Sequence, residues 1–242
     1  MNIESIVLIR GAGERATGCA YQLHTAGFRV VMTELAMPRH MRTTVSYASA
    51  MLYDTVIVAG VIARQVPLHT AAIAAAWADR VIPIVADPDK ATIALLSPTV
   101  IIDARNTTVG ASLLDAPLVI GLGEAFLGGK NCHVVLGTEA PQPEIELLTA
   151  PAPGICLPIC NIGERVMQGA ILGTVAELPI LAPCAGVLYS MIDYAGEISA
   201  GMVIGAVAHH HDRIRCFTLS ETSLDIGRAV LNAIQGFPPK LQ

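Results

Sequence analysis

The sequence predicts an α/β fold, a mostly parallel sheet with helices, followed by a small all-β unit and a C-terminal helix. Three observations predict it. Short apolar runs alternate with helical patterns over residues 1–140, a glycine-spaced pattern occurs twice between residues 158 and 210, and an amphipathic period follows near the end.

The first element is the apolar run at 5–10 (SIVLIR), followed by Gly11-Ala12-Gly13. From 14 to 26 the pattern is helical, with Ala16, Cys19, Ala20 and Leu23 on one face. Gly27 ends that helix and 28–33 (FRVVMT) reads as the next strand. Further apolar runs at 55–63, 81–86, 99–103 and 118–121 read as strands, and the alanine-rich 67–79 reads as a helix opened by Pro67. Strands alternating with helices imply parallel pairing, so 1–140 is expected to form one nucleotide-binding domain of the Rossmann-like kind.

The proline-rich stretch at 141–157 changes the texture of the sequence and reads as a linker. Beyond it, GERVMQGAILGTV and GEISAGMVIGAV share a pattern in which Gly169, Gly173 and Val175 recur as Gly201, Gly205 and Val207. Two quasi-symmetric units of this length predict a small all-β barrel over 158–210. In the remaining segment, 211–242, Ser220 is a plausible N-cap for an amphipathic helix carrying Leu224, Ile226, Val230, Leu231 and Ile234. That helix is expected to pack back on the first domain.

Composition excludes some functions. Of 242 residues 53% are hydrophobic and 14% charged, with a formal net charge of −5. Core formation needs no disulfides or metal at this length. No basic cluster interleaved with aromatic residues appears, which argues against nucleic acid as a partner. Arg64, Asp79 and Arg80 interrupt the most apolar region, so no run reaches the roughly 18–20 apolar residues of a membrane span. With no signal-peptide pattern at the start, the expectation is a cytoplasmic protein without membrane association, and self-association into a homo-oligomer stays open. The six cysteines are expected to be free thiols.

Gly11, Ala12, Gly13, Glu14 and Ala16 form a GxGxxA variant between strand and helix. Glycines there permit a tight turn and let backbone N–H groups approach a pyrophosphate at the positive end of the helix. Glu34 ends the second strand, where a carboxylate accepts ribose hydroxyls. Glu14 adds negative charge to the turn, which repels phosphate unless Arg10 or Arg15 offsets it. Gly121 and Gly123 line a second glycine loop, also after a strand, and Asp103 and Arg105 follow another. All of these are candidate cofactor-binding residues, with the alternatives of a bare turn and a structural ion pair open. No catalytic residue and no metal ligand is assigned. The adjacent histidines 209–211 point in alternating directions and are expected to be a solvated turn.

Together, RGAGERATGCAYQLHTAGFRVVMTE, VIPIVADP, VIIDAR, APLVIGLGEAFLGG with CHVV, and the C-terminal repeats resemble the YqeB-type proteins of the selenium-dependent molybdenum hydroxylase system. The repeats resemble the barrel-sandwich hammerhead of biotinyl and lipoyl carriers. Such carriers need a lysine between the halves, and none occurs between Gly163 and Val207, which excludes a carrier role. The resemblance implies an accessory protein for maturation or assembly of a molybdenum hydroxylase, with that enzyme or its maturation factors as partners. The cofactor implied is NAD(P), FAD or a molybdopterin dinucleotide. Two alternatives remain, an NAD(P)-dependent oxidoreductase and a non-catalytic docking scaffold. The family carries Asp-Leu where this chain has Glu14-Arg15, and an Arg-Gly-His-type segment after CHVV that this chain lacks.

Overall fold

The structure is a computed structural model that describes residues 5–87, 90–105, 107–137, 144–193 and 196–237. It divides into two compact units. The first comprises Met1–Ala36, Tyr47–Ala140 and Leu219–Gln242, and the second Met37–Ser46 and Pro141–Thr218.

In the first unit the chain runs β1 (Ile6–Arg10), α1 (Glu14–Thr25), β2 (Arg29–Glu34), α2 (Ala50–Tyr53), β3 (Thr55–Val58), β4 (Val61–Gln65), α3 (Thr70–Ala78), β5 (Ile82–Ala86), α4 (Ala91–Leu96), β6 (Val100–Asp103), β7 (Leu118–Leu122) and β8 (Val134–Leu136). One sheet holds all eight strands in the order β3-β4-β5-β2-β1-β6-β7-β8. Only β3 and β4 pair antiparallel; every other neighbouring pair is parallel. The central strands carry Val, Ile and Leu without alternation because both faces are covered. After β2 the chain steps to the edge with β3 and β4 and returns with β5 between β4 and β2, all on one side of β1, then crosses to the other side with β6, β7 and β8. The order therefore reverses at the β1–β6 boundary.

The apolar run at 55–63, expected as one strand, is instead the β3–β4 hairpin. Ala59 and Gly60 both have positive φ, 51° and 79°, which is the geometry of a two-residue hairpin turn. Likewise, α3 begins at Thr70 and not at Pro67, because the His69 side chain accepts the Ala71 N–H and caps the helix there.

The last helix of the chain, α5 (Glu221–Gly236), packs against α1 within this unit. Glycines set the crossing. A Cβ on Gly18 would lie 2.3 Å from the Ser223 carbonyl oxygen, and one on Gly227 would lie 2.5 Å from that of Gly18. The N-cap Ser220 accepts the Ser223 N–H at 3.2 Å, and its own N–H donates to Glu14 Oε1 at 3.0 Å.

The second unit is antiparallel. It contains β9 (Ile145–Thr149), β10 (Gly154–Pro158), β11 (Arg165–Val166), β12 (Ile171–Val175), β13 (Leu178–Leu181), β14 (Gly186–Met191), β15 (Glu197–Ile198) and β16 (Val203–Ala208). They form two four-stranded sheets, β13-β12-β10-β15 and β11-β14-β16-β9. The described part of the stretch expected as a linker is thus mostly sheet: β9 pairs with β16, and β10 with β12 and β15. Its prolines disguised the strands, yet Leu148 and Cys156 point into the unit's core with Leu172, Leu188 and Val207.

Each repeat copy gives a two-residue strand to one sheet and a longer strand to the other, in reciprocal fashion: β11 and β16 to one, β12 and β15 to its partner. The repeated glycines have matching causes. Gly169 and Gly201 hold φ of 80° and 76°, and a Cβ on Gly173 or Gly205 would lie 2.6 or 2.4 Å from a neighbouring strand's carbonyl oxygen.

The segment Met37–Ser46, expected as part of a continuous first domain, belongs to this second unit. Arg42 Nη2 donates to the carbonyls of Arg215 and Thr218 at 3.1 and 3.0 Å, and its guanidinium lies 4.0 Å from the Tyr189 ring centroid. His40 is 9% exposed, and burial holds its imidazole down at about 4, with Asp193 pulling the other way. Its unfolded value is 6.5, so the folded value is the depressed one. The neutral ring therefore stabilises the fold above the unfolded value, and that contribution disappears as pH falls from 6.5 through about 4. A displacement of that size corresponds to about 3 kcal/mol. Denaturant titrations should show stability declining across this window, and His40→Gln should flatten the decline.

Candidate functional site

The sequence candidates converge at the carboxyl ends of β1, β2, β6 and β7. Gly11 leaves β1 with φ of 91°, and its N–H donates to the Thr33 carbonyl at 2.8 Å. That bond ties the turn to the end of β2. Both backbone polar groups of Ala12 are held. Its N–H donates to Glu34 Oε2 at 2.8 Å, and its carbonyl accepts the Ala48 N–H at 2.9 Å and the Thr17 hydroxyl at 3.2 Å. The segment Tyr47–Ser49 thereby braces the turn, with the Tyr47 N–H donating to Thr17 Oγ1 at 2.9 Å.

Glu34 uses its second oxygen to accept the Leu35 N–H at 2.8 Å. Burial raises its proton affinity, while the two backbone donors and the Arg105 charge oppose that shift. Gly13 occupies the N-cap of α1 with φ of −65°, a conformation open to any residue, and offers no side-chain cap. A Cβ added there meets nothing within 4 Å. The first turn of α1 thus faces open space at Gly13, where helix N–H groups and the helix dipole favour an anion. Ala16 is buried beneath it. Glu14, the charge that threatened this site, turns its carboxylate toward the N-terminus of α5, where negative charge is favourable.

Asp103 sits opposite Arg10 in the β1–β6 register and is 1% exposed. Arg10 Nη1 donates to Asp103 Oδ2 at 3.0 Å. Arg105 grips the same carboxylate through two nitrogens, Nε to Oδ1 at 2.9 Å and Nη2 to Oδ2 at 2.7 Å, and reaches the Val109 carbonyl at 3.0 Å. Burial depresses the Arg10 proton affinity, and the neighbouring Asp103 counters it. Arg105, a candidate anion ligand, is thus directed first to Asp103. It still borders the turn: the position of a Cβ on Gly11 lies 3.4 Å from Arg105 Cγ.

The second glycine loop joins the same neighbourhood. Gly123 has φ of 104°, and its Cβ position lies 3.3 Å from Arg15 Nη1, on the first turn of α1. Gly121 serves packing, since a Cβ there would fall 2.2 Å from the Phe126 ring. Among the described residues no nucleophile–base pair accompanies these groups. Cys132 is buried beside Phe126, whereas His133 accepts the Val119 N–H at its Nδ1 at 2.9 Å. A groove of about 810 Å³ lies at the opposite end of the strands, lined by Phe28, Arg29, Trp77 and Arg80. The convergent backbone donors and carboxylates lie instead at the glycine turn.

No family model matches the sequence. A curated protein does. The chain is similar to YqeB, an uncharacterized protein of Escherichia coli K12. Identity is 28% over an alignment of 256 residues that covers 95% of this chain and 47% of YqeB. The chain therefore spans about half the length of the curated relative it matches. An aspartoacylase family protein of Mesorhizobium loti and the ectoine utilization protein EutE (DoeB) of Ruegeria pomeroyi each superpose over 85% of this chain. They cover 84% and 85% of those structures, at 11% identity and a TM-score of 0.27 in both cases. Superposition at that level carries no argument. No helix among the described residues is long and apolar enough to cross a membrane.

Sequence reasoning missed the parts of the site that come from far along the chain. The Ser220 N–H donates to Glu14, the Ala48 N–H donates to the Ala12 carbonyl, and Lys90 Nζ donates to both Asp115 oxygens at 2.8 and 3.0 Å beneath Gly110. Only the serine carried a signal, as a helix cap. The two turn glycines should separate in stability. Gly11→Val forces a β-branched residue to positive φ and should cost roughly 1–3 kcal/mol. Gly13→Val should cost under about 1 kcal/mol. Equal losses in urea titrations would contradict this assignment of the turn.

Proposed function

We propose that the first unit is a Rossmann-like domain that binds a nucleotide-containing cofactor, NAD(P), FAD or a molybdopterin dinucleotide. On this reading the protein serves maturation or assembly of a molybdenum hydroxylase. The observation that carries the binding reading is the carboxylate of Glu34 bonded to the Ala12 N–H. It holds the glycine turn at the point of strand-order reversal and leaves Gly13 facing open space. Open parallel sheets bind ligands at that location. The pyrophosphate would lie over Gly13 and the first turn of α1, with Gly123 and Arg15 flanking it. Ribose hydroxyls would donate to the remaining lone pairs of Glu34. The maturation role rests on the YqeB-type resemblance.

A second reading, a docking scaffold, has its own observation. Ile155 and Leu157 on β10, Ile171 on β12, and Leu178 and Leu181 on β13 are each roughly half exposed. That many apolar side chains on the strands of one sheet suit an interaction surface, and a hammerhead without a carrier lysine would serve that purpose.

Calorimetric titration with NAD, FAD and a molybdopterin dinucleotide, with mass spectrometry of ligands released from the purified protein, tests the first reading. At least one is expected to bind, and Gly13→Val should weaken it tenfold or more while the protein still folds cooperatively. Binding of none of them, or equal binding by Gly13→Val, would overturn it.

A further inference from the structure

We propose that Glu146, Cys184 and His209 form a binding site for one divalent transition-metal ion, with zinc the best match. The three residues are far apart in sequence and come together through the second unit's sheet register. Glu146 on β9 stands opposite Val207 on β16. His209 lies two positions beyond Val207, and its N–H donates to the Glu144 carbonyl at 2.8 Å, which prolongs the ladder past the end of β16. Residues two apart on a strand share a face, so Glu146 and His209 are diagonal neighbours. His209 Nε2 lies 3.0 Å from Glu146 Oε1.

Cys184 enters from the turn between β13 and β14. Cys184 lies two residues before Gly186, where β14 begins and pairs with the end of β16 so closely that a Cβ on Gly186 would fall 1.9 Å from the Ala208 carbonyl oxygen. The result is one imidazole nitrogen, one carboxylate oxygen and one sulfur, all within 4.8 Å of one another. Donors around a tetrahedral zinc ion are roughly 3.3–3.7 Å apart, given metal–ligand bonds of about 2.0–2.3 Å. Only small side-chain adjustments separate the two arrangements.

The donor set selects the ion. A thiolate with imidazole and carboxylate suits zinc and its neighbours and disfavours magnesium and calcium, which take oxygen. Cys184 is buried, whereas Glu146 and His209 side chains are about half exposed, leaving a fourth position to water. A cysteine binds metal as the thiolate, so its thiol must give up a proton. Metal entry displaces that proton to solvent, so one proton leaves per thiolate–metal bond formed. His210 does not join the set, because its ring meets Tyr189 edge-on at 6.1 Å.

The test is titration of the chelator-treated full chain with Co²⁺, followed by absorption. A thiolate-to-cobalt charge-transfer band should saturate at one equivalent and be displaced by Zn²⁺. Cys184→Ser should abolish the band, and His209→Ala and Glu146→Ala should weaken cobalt binding tenfold or more. Cys160→Ser and His211→Ala should leave binding unchanged. Circular dichroism identifies a variant that fails to fold, and the half-exposed His209 supplies a second independent variant. Absence of the band in the wild-type chain, its persistence in Cys184→Ser, its loss in Cys160→Ser, or unaltered affinity in His209→Ala would each overturn the proposal.

Discussion

The geometry of the first unit depends on the two peptide groups that flank Ala12. The Ala12 N–H is held by Glu34 and its carbonyl by Ala48 and Thr17. A buried peptide group left unpaired would cost about 1–3 kcal/mol, so these bonds fix the turn by penalty as much as by attraction. Because the carboxylate comes from the end of β2 and the amide from Ala48, just before α2, the turn registers β1 against two separate stretches of chain. Gly13 then lies outside that brace, at the mouth of α1. One residue is sealed by the protein and the next is presented outward.

Charge at the strand ends follows a similar division. Arg10, Asp103 and Arg105 form a cluster in which one carboxylate serves two guanidinium groups. Leaving out Asp103 would strand two cations, one of them 5% exposed, which makes the cluster a structural element that also carries surplus positive charge next to Gly11. Glu14 has been drawn away to α5, so the turn is less acidic in effect than its composition suggests.

Much of this fold was legible in the sequence where the signal is local. The runs at 5–10, 81–86, 99–103 and 118–121 are strands because short apolar stretches rich in Val, Ile and Leu fit a sheet buried on both faces. The cap at Ser220 was readable for the same reason, as a side chain bonding its own helix. Illegible were features set by distant partners. The hairpin at Ala59–Gly60 required an alanine at positive φ, which no propensity favours. The prolines around β10 masked strands whose evidence is their pairing with β12 and β15. In the candidate site the glycines and Glu34 announced themselves by spacing, while the brace from Ala48 and the Glu14–Ser220 bond had no local signature. Glu146, Cys184 and His209 are likewise invisible as a group until the β9–β16 register is known.

The central claim is that the first turn of α1, open at Gly13, receives the phosphates of a nucleotide. The most direct measurement is a series of ¹H–¹⁵N spectra of the labelled protein during titration with NAD, FAD or a molybdopterin dinucleotide. The account predicts saturable shifts centred on the amides of Gly13, Glu14, Arg15 and Gly123. Spectra unchanged by all three ligands, or shifts confined to the groove around Trp77, would contradict it.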